Sequence, residues 1–131
     1  MPILMQQILS TQDVDINESV YYVYLSNDKG QTASQGAVYL SNHDRGLGLR
    51  VKKAPGEEVG SYWNDDEFNI NREKVKEDLG KVEKLLQENK VVVIIKSDLD
   101  ELREERLLEI CPRSYKYFRN SLAKCIRIYG P

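Results

Sequence analysis

Five consecutive β-branched residues, Val91-Val92-Val93-Ile94-Ile95, constrain this chain more than any other feature. A strand with one face in water alternates apolar and polar residues, whereas a strand apolar at every position must be covered on both faces. Such strands lie inside α/β sheets. The run is also far short of the ~20 apolar residues that a bilayer-spanning helix needs, so no membrane partner is expected.

The segments around this run supply the rest of the pattern. Val20 to Leu25 is rich in Val and Tyr and reads as a strand, with Ser26-Asn27-Asp28-Lys29-Gly30 as a turn after it. Gly36-Ala37-Val38-Tyr39-Leu40 fits either a returning hairpin strand or a short helix. Gly46 to Lys52 reads as another strand, closed by the turn-forming Pro55-Gly56. Val75, Leu79, Val82 and Leu86 recur at helical spacing and mark a long amphipathic helix ending near Asn89, with Asn64 or Asn71 as its cap. Ser97 or Asp98 would cap a further helix reaching Glu109, and Pro112 suits the first turn of a last one. The expected fold is a single compact α/β domain over residues 1–131, a mixed sheet with one long helix and two C-terminal helices. At 131 residues the chain can bury a core without disulfides or a structural metal.

Charge is segregated along the chain. Residues 1–56 balance five acids against five bases, residues 57–110 carry a net −7, and the stretch from Cys111 onward holds five bases and no acid. In a helix from about Pro112 to Tyr129, Tyr115, Phe118, Leu122, Ile126 and Tyr129 form one apolar stripe. Arg113, Lys116, Lys124 and Arg127 follow the same offsets on the opposite side, and they are the candidate partner-binding residues. Part of that pattern has a structural explanation, because cations near a helix C-terminus complement its dipole.

Candidate chemistry is sparse. Ligands of open α/β sheets sit at the carboxyl ends of the strands, which directs attention to Asn27 and Asp28, to Lys52 and Lys53, and to Lys96-Ser97-Asp98. Asn and Asp there would hydrogen-bond a ribose or base edge, and the lysines would meet a phosphate. Gly46-Leu47-Gly48 is too incomplete for a dinucleotide fingerprint. His43 is the only histidine and sits in a polar turn, and Cys111 and Cys125 read as packing residues, so neither a zinc site nor a nucleophilic dyad is expected. The acid pairs Asp65-Asp66 and Asp98-Asp100 fit helix starts better than acid/base work. No signal peptide is evident in Met1 to Ser10, and two separated thiols suit a reducing, cytoplasmic setting.

Tyr62-Trp63-Asn64-Asp65-Asp66-Glu67-Phe68, Lys52-Lys53-Ala54-Pro55 and Leu25-Ser26-Asn27-Asp28 together resemble a family. It comprises small uncharacterised α/β proteins of phages and bacteria, marked by Phe-Gly-Asp-Asn, Gly-Gly-Gln-Ala, Ile-Pro-Thr-Lys-x-x-Pro and Phe-Phe-x-Asp-x-x-Phe. The match would span most of residues 21 to 122. The Trp63 block keeps the aromatic pair, Asp65 and Phe68, and Lys52 and Pro55 keep the Lys-x-x-Pro spacing. Ser34-Gln35-Gly36-Ala37 replaces the glycine-rich Gly-Gly-Gln-Ala, and Ser97-Asp98-Leu99-Asp100 replaces a glycine-rich segment after the buried strand. The resemblance implies an α/β scaffold whose nucleotide-type pocket has been altered or lost.

Three functions are compatible with these residues, and none requires a cofactor or turnover. The first is a non-catalytic binding protein, of phage or mobile-element origin, that engages a host macromolecule, with an acidic one fitting the charge-segregated surface. The second is a domain for a nucleotide or ADP-ribose-like ligand, using Asn27, Asp28, Lys52, Lys53 and Asp65. The third is nucleic-acid binding through the basic last helix, which the acidic middle of the chain opposes. Self-association through exposed tyrosines is a further expectation without a defined interface.

Overall fold

The computed structural model describes residues 3–6, 10–31, 35–100 and 102–130, with the side chains at 35, 36, 98 and 100 excepted. Ser34 and the carboxylates of Asp98 and Asp100, invoked above, therefore lie outside the described residues.

Val91–Ile95 forms a strand, β4, that lies between two others. The remaining strands are β1 (Ile3–Gln6), β2 (Val20–Asn27) and β3 (Gly46–Lys52), and the sheet order is β1-β4-β2-β3. Alternate residues of β4 enter separate cores, as an all-apolar strand requires. Val92 and Ile94 join the larger cluster with Trp63, Val75, Leu79, Val82 and Phe118, whereas Val93 and Ile95 pack with Val14, Tyr22 and Leu40.

Every described pairing is parallel, where a mixed sheet was expected. The reason is the ambiguous segment, which resolves into helix α2 (Gln35–Ser41) rather than a hairpin strand. A helical crossover returns the chain to the same end of the sheet, so β2 and β3 run parallel. Helix α1 (Thr11–Ile16) separates β1 from β2, and both β1 and α1 escaped the sequence reading because they are only four and six residues long. The Arg45 guanidinium fastens this region by donating to the carbonyls of Val14, Val20 and Asn17. Gly46 opens β3 where a Cβ would stand 2.0 Å from the Leu40 carbonyl oxygen, so no other residue fits there.

Helix α3 (Phe68–Gln87) covers the larger core with Val75, Leu79, Val82 and Leu86, the residues its periodicity selects. Asn64 caps the 3₁₀ turn that leads into it, accepting from the Asp66 N–H at 2.8 Å. Asn71 is instead buried inside the helix and donates to the Asn64 carbonyl and the Ser114 hydroxyl, both at 3.0 Å. Asp78, also buried, receives Arg50 of β3 through two guanidinium bonds of 3.0 and 2.9 Å and through the Arg50 N–H at 2.8 Å. This bidentate pair fixes α3 on the sheet edge. The helix ends at Gln87, and just beyond its cap Asn89 turns the chain with a φ of 62°, the left-handed conformation that Asn tolerates.

Beyond β4 the single expected helix is two, α4 (Lys96–Asp100) and α5 (Glu104–Ile110), followed by α6 (Pro112–Tyr129). The break turns Leu102 and Arg103 toward the ends of β2 and β3.

Candidate ligand site at the strand ends

The carboxyl ends of β2 and β3 are tied together by the Asp28 N–H, which donates to the Lys52 carbonyl at 3.0 Å. Just before it the register slips between Ser26 and Asn27, and Asn27 is left 8% exposed. Its side chain organises the following turn: Oδ1 accepts from the Lys29 and Gln31 N–H groups at 3.1 and 3.3 Å, and Nδ2 donates to the Gln31 carbonyl. This is the local bonding that makes Asn a turn residue.

After β3 the chain loops out and back, with the Lys53 and Ala54 N–H groups both bonded to the Ser61 carbonyl. Gly56 holds the loop tip at φ +119°, where a side chain would be strained and would also crowd Glu58. The returning chain places Tyr62 beneath Lys52, whose ammonium stands 4.3 Å from the ring centroid and donates to the Gly56 carbonyl.

Leu102, Arg103 and Leu107 form the opposite wall. Together these segments enclose a cavity of about 220 Å³, lined also by Leu25, Ser26, Asn27, Gln31, Ala37, Val51, Ala54, Pro55, Gly56 and Glu57. Pockets for drug-sized ligands run to ~300–1,000 Å³, so this one houses one group of such a ligand rather than the whole.

Its electrostatics are set by partial burial. Desolvation lowers the Lys52 pKa from its ordinary 10.5, against the opposing charges of Glu57 and Glu58. Burial, with a further push from Glu57, raises that of the Tyr62 phenol. Tyr62 is 2% exposed, and its hydroxyl has no hydrogen-bond partner among the described residues. Arg103 is held at 3.1 Å by both Glu57 and Glu105.

Of the five candidate ligand residues, the structure brings Asn27 and Lys52 to this cavity and engages the other three elsewhere. Asp28 accepts the Trp63 indole N–H at 3.2 Å and the Lys74 ammonium at 2.8 Å. Lys53 pairs with Glu67 at 3.4 Å. Asp65 sits at the start of α6, accepting from the Arg113 and Ser114 N–H groups at 2.9 and 3.0 Å and from the Ser114 hydroxyl at 2.8 Å. Desolvation opposes its ionisation, but these bonds and the Arg113 charge together hold its pKa below the ordinary 3.8.

The sequence reading overlooked Tyr62 and Arg103. Tyr62 lay in plain view as half of an aromatic pair, beside Trp63. Arg103 stands 51 positions from Lys52, and nothing in the local pattern signals that a helix breaks there.

The four basic candidates on α6 are exposed as expected. Arg113 lies 4.0 Å from the centroid of the Phe68 ring, whereas Lys116, Lys124 and Arg127 have no carboxylate partner among the described residues. Burial pushes the thiols of Cys111 and Cys125 up to about 11, leaving them protonated at neutral pH. The His43 ring accepts from the Arg45 N–H at 3.1 Å. No cluster of three His, Cys, Asp or Glu fit for a metal occurs among the described residues, and no described helix is long and apolar enough to cross a membrane.

Residues 4–121 match a family of unknown function, DUF7831, and the chain belongs to that family. Comparison with curated proteins and with solved structures gives no significant match.

Proposed function

We propose that this family member is a non-catalytic binding protein that takes a small anionic ligand, of the nucleotide or ADP-ribose class, at the carboxyl ends of β2 and β3. The observation that carries this reading is the cavity itself. It forms where open α/β sheets place their ligands, and its wall includes a buried asparagine and a lysine with no carboxylate partner among the described residues. Lys52 and Pro55, the two positions that keep the Lys-x-x-Pro spacing, both line it. The resemblance to phage and bacterial proteins supports a phage or mobile-element origin. Protonated, buried thiols and a histidine committed to a turn support binding without turnover, and free thiols suit a reducing cytoplasm.

A second reading has its own observation. Lys116, Lys124 and Arg127 share an exposed face of α6 without carboxylate partners among the described residues, which supports capture of an acidic host macromolecule by long-range attraction.

Calorimetry with ADP-ribose tests the first reading. Binding should be measurable for the parent and lost in Ala54→Phe, which fills the cavity from its rim. Equal affinity in the two proteins would move the ligand away from the strand ends.

A further inference from the structure

Three side chains around the cavity carry positive charge, and they differ in how that charge is engaged. Arg103 is clamped between Glu57 and Glu105, and Arg106 donates to the Glu57 carbonyl and lies 3.6 Å from Glu109. Lys52 alone of the three holds no carboxylate among the described residues. It touches a backbone carbonyl and the Tyr62 ring, neither of which neutralises an ammonium. Glu57 and Glu58 act on it only through space, without a salt bridge, and a half-buried cation with no direct ion pair is costly unless an anion completes the site.

The second observation is independent of the first. The Tyr62 hydroxyl is buried with no hydrogen-bond partner among the described residues, on a residue that lines the same cavity. A buried hydroxyl without a partner is destabilising, and such groups are rare unless something bound to the protein satisfies them. Lys52 stands over the ring that carries this hydroxyl, so one multi-oxygen group can span the ammonium and the phenol.

Resting on the cavity reading above, we infer that Lys52 and Tyr62 form a subsite for the phosphate group of the ligand. The donors are two single-point groups on one wall, and the nearby guanidinium forks are already engaged. That arrangement suits a tetrahedral phosphate with several acceptor oxygens better than a carboxylate, which is held best by a free fork. The lowered pKa of Lys52 agrees with its desolvation, and the raised pKa of Tyr62 keeps the phenol protonated as a donor.

The test compares AMP with adenosine by calorimetry on the full chain. The parent should bind AMP at least roughly tenfold more tightly, as a charge-assisted bond predicts. Lys52→Met should abolish that preference without changing adenosine affinity, and Lys52→Arg should retain most of it. Tyr62→Phe should weaken AMP several-fold while leaving the urea midpoint unchanged or higher, because no hydrogen bond among the described residues is lost. Equal affinities for AMP and adenosine, both abolished by Ala54→Phe, would overturn the phosphate subsite and leave the cavity reading standing. A preference that survives Lys52→Met would also overturn it, as would a Tyr62→Phe protein that loses stability yet binds AMP as the parent does. Binding of neither probe would overturn both inferences.

Discussion

The Asp28 carboxylate accepts the indole N–H of Trp63 at 3.2 Å and at the same time pairs with Lys74 at 2.8 Å. One acid at the end of β2 thereby holds both the aromatic block and the first half of α3. Trp63 is 1% exposed and belongs to the larger core. Its polar edge is satisfied by Asp28, which is the usual condition for burying an indole.

Replacing Trp63 with Ala should therefore cost about 3–5 kcal/mol, read as a fall in the urea midpoint. Asp28→Ala leaves the indole N–H unpaired and should cost about 1–3 kcal/mol. A Trp63→Ala protein with an unchanged midpoint would place the indole outside the core.

Asp65 joins the turn before α3 to the first turn of α6, a contact between elements 48 residues apart. Asp65→Ala should cost about 0.5–2 kcal/mol, the range for loss of a helix-capping carboxylate. Because its folded pKa is depressed, the stabilisation is complete above the unfolded value and is lost as pH falls through the folded one. Parent and variant should differ most above pH 4 and converge in stronger acid, which urea titrations across pH 2–6 would reveal.

These contacts also mark what a sequence can disclose. The strand Val91 to Ile95 and the helix Phe68 to Gln87 were legible because burial on two faces, and on one stripe, writes a direct pattern into residue type. The short elements β1 and α1 carry too few residues for a period to register. Asn27 and Lys52 were found at the cavity because strand ends are where α/β sheets gather ligands. Asp65, Asp28 and Lys53 were drawn in by the same rule, yet their partners Ser114, Trp63 and Glu67 are set by tertiary packing that no local spacing encodes. The break before Glu104 has neither proline nor glycine to announce it.

Lys52 gives the ligand site a distinctive pH response. Its pKa is lowered chiefly by desolvation, with Glu57 and Glu58 opposing and the protonated Tyr62 beneath it. It should therefore lose its charge below the 10.5 of an ordinary lysine as pH rises. AMP affinity should begin to fall at correspondingly lower pH, while Lys52→Arg, which stays charged, should show a flat profile over the same range.

The α6 face makes a separable prediction. Lys116→Glu with Lys124→Glu should alter stability by less than about 0.5 kcal/mol for each exposed position, since neither side chain has a carboxylate partner among the described residues to lose. Capture of an acidic partner should fall in the double variant and should fall with added salt in the parent. Unchanged capture at low and moderate salt would leave this face as solvated surface.

The most direct test of the central claim is the amide ¹H–¹⁵N spectrum of the full chain titrated with ADP-ribose. Ligand in the cavity should shift the amides of Asn27 to Gln31, of Lys52 to Ala54, of Gly56 and of Leu102 to Leu107, while those of Arg113 to Arg127 stay in place. Shifts confined to α6, or no shift with ligand at about 1 mM, a concentration that would reveal even a millimolar Kd, would contradict a ligand site at the ends of β2 and β3.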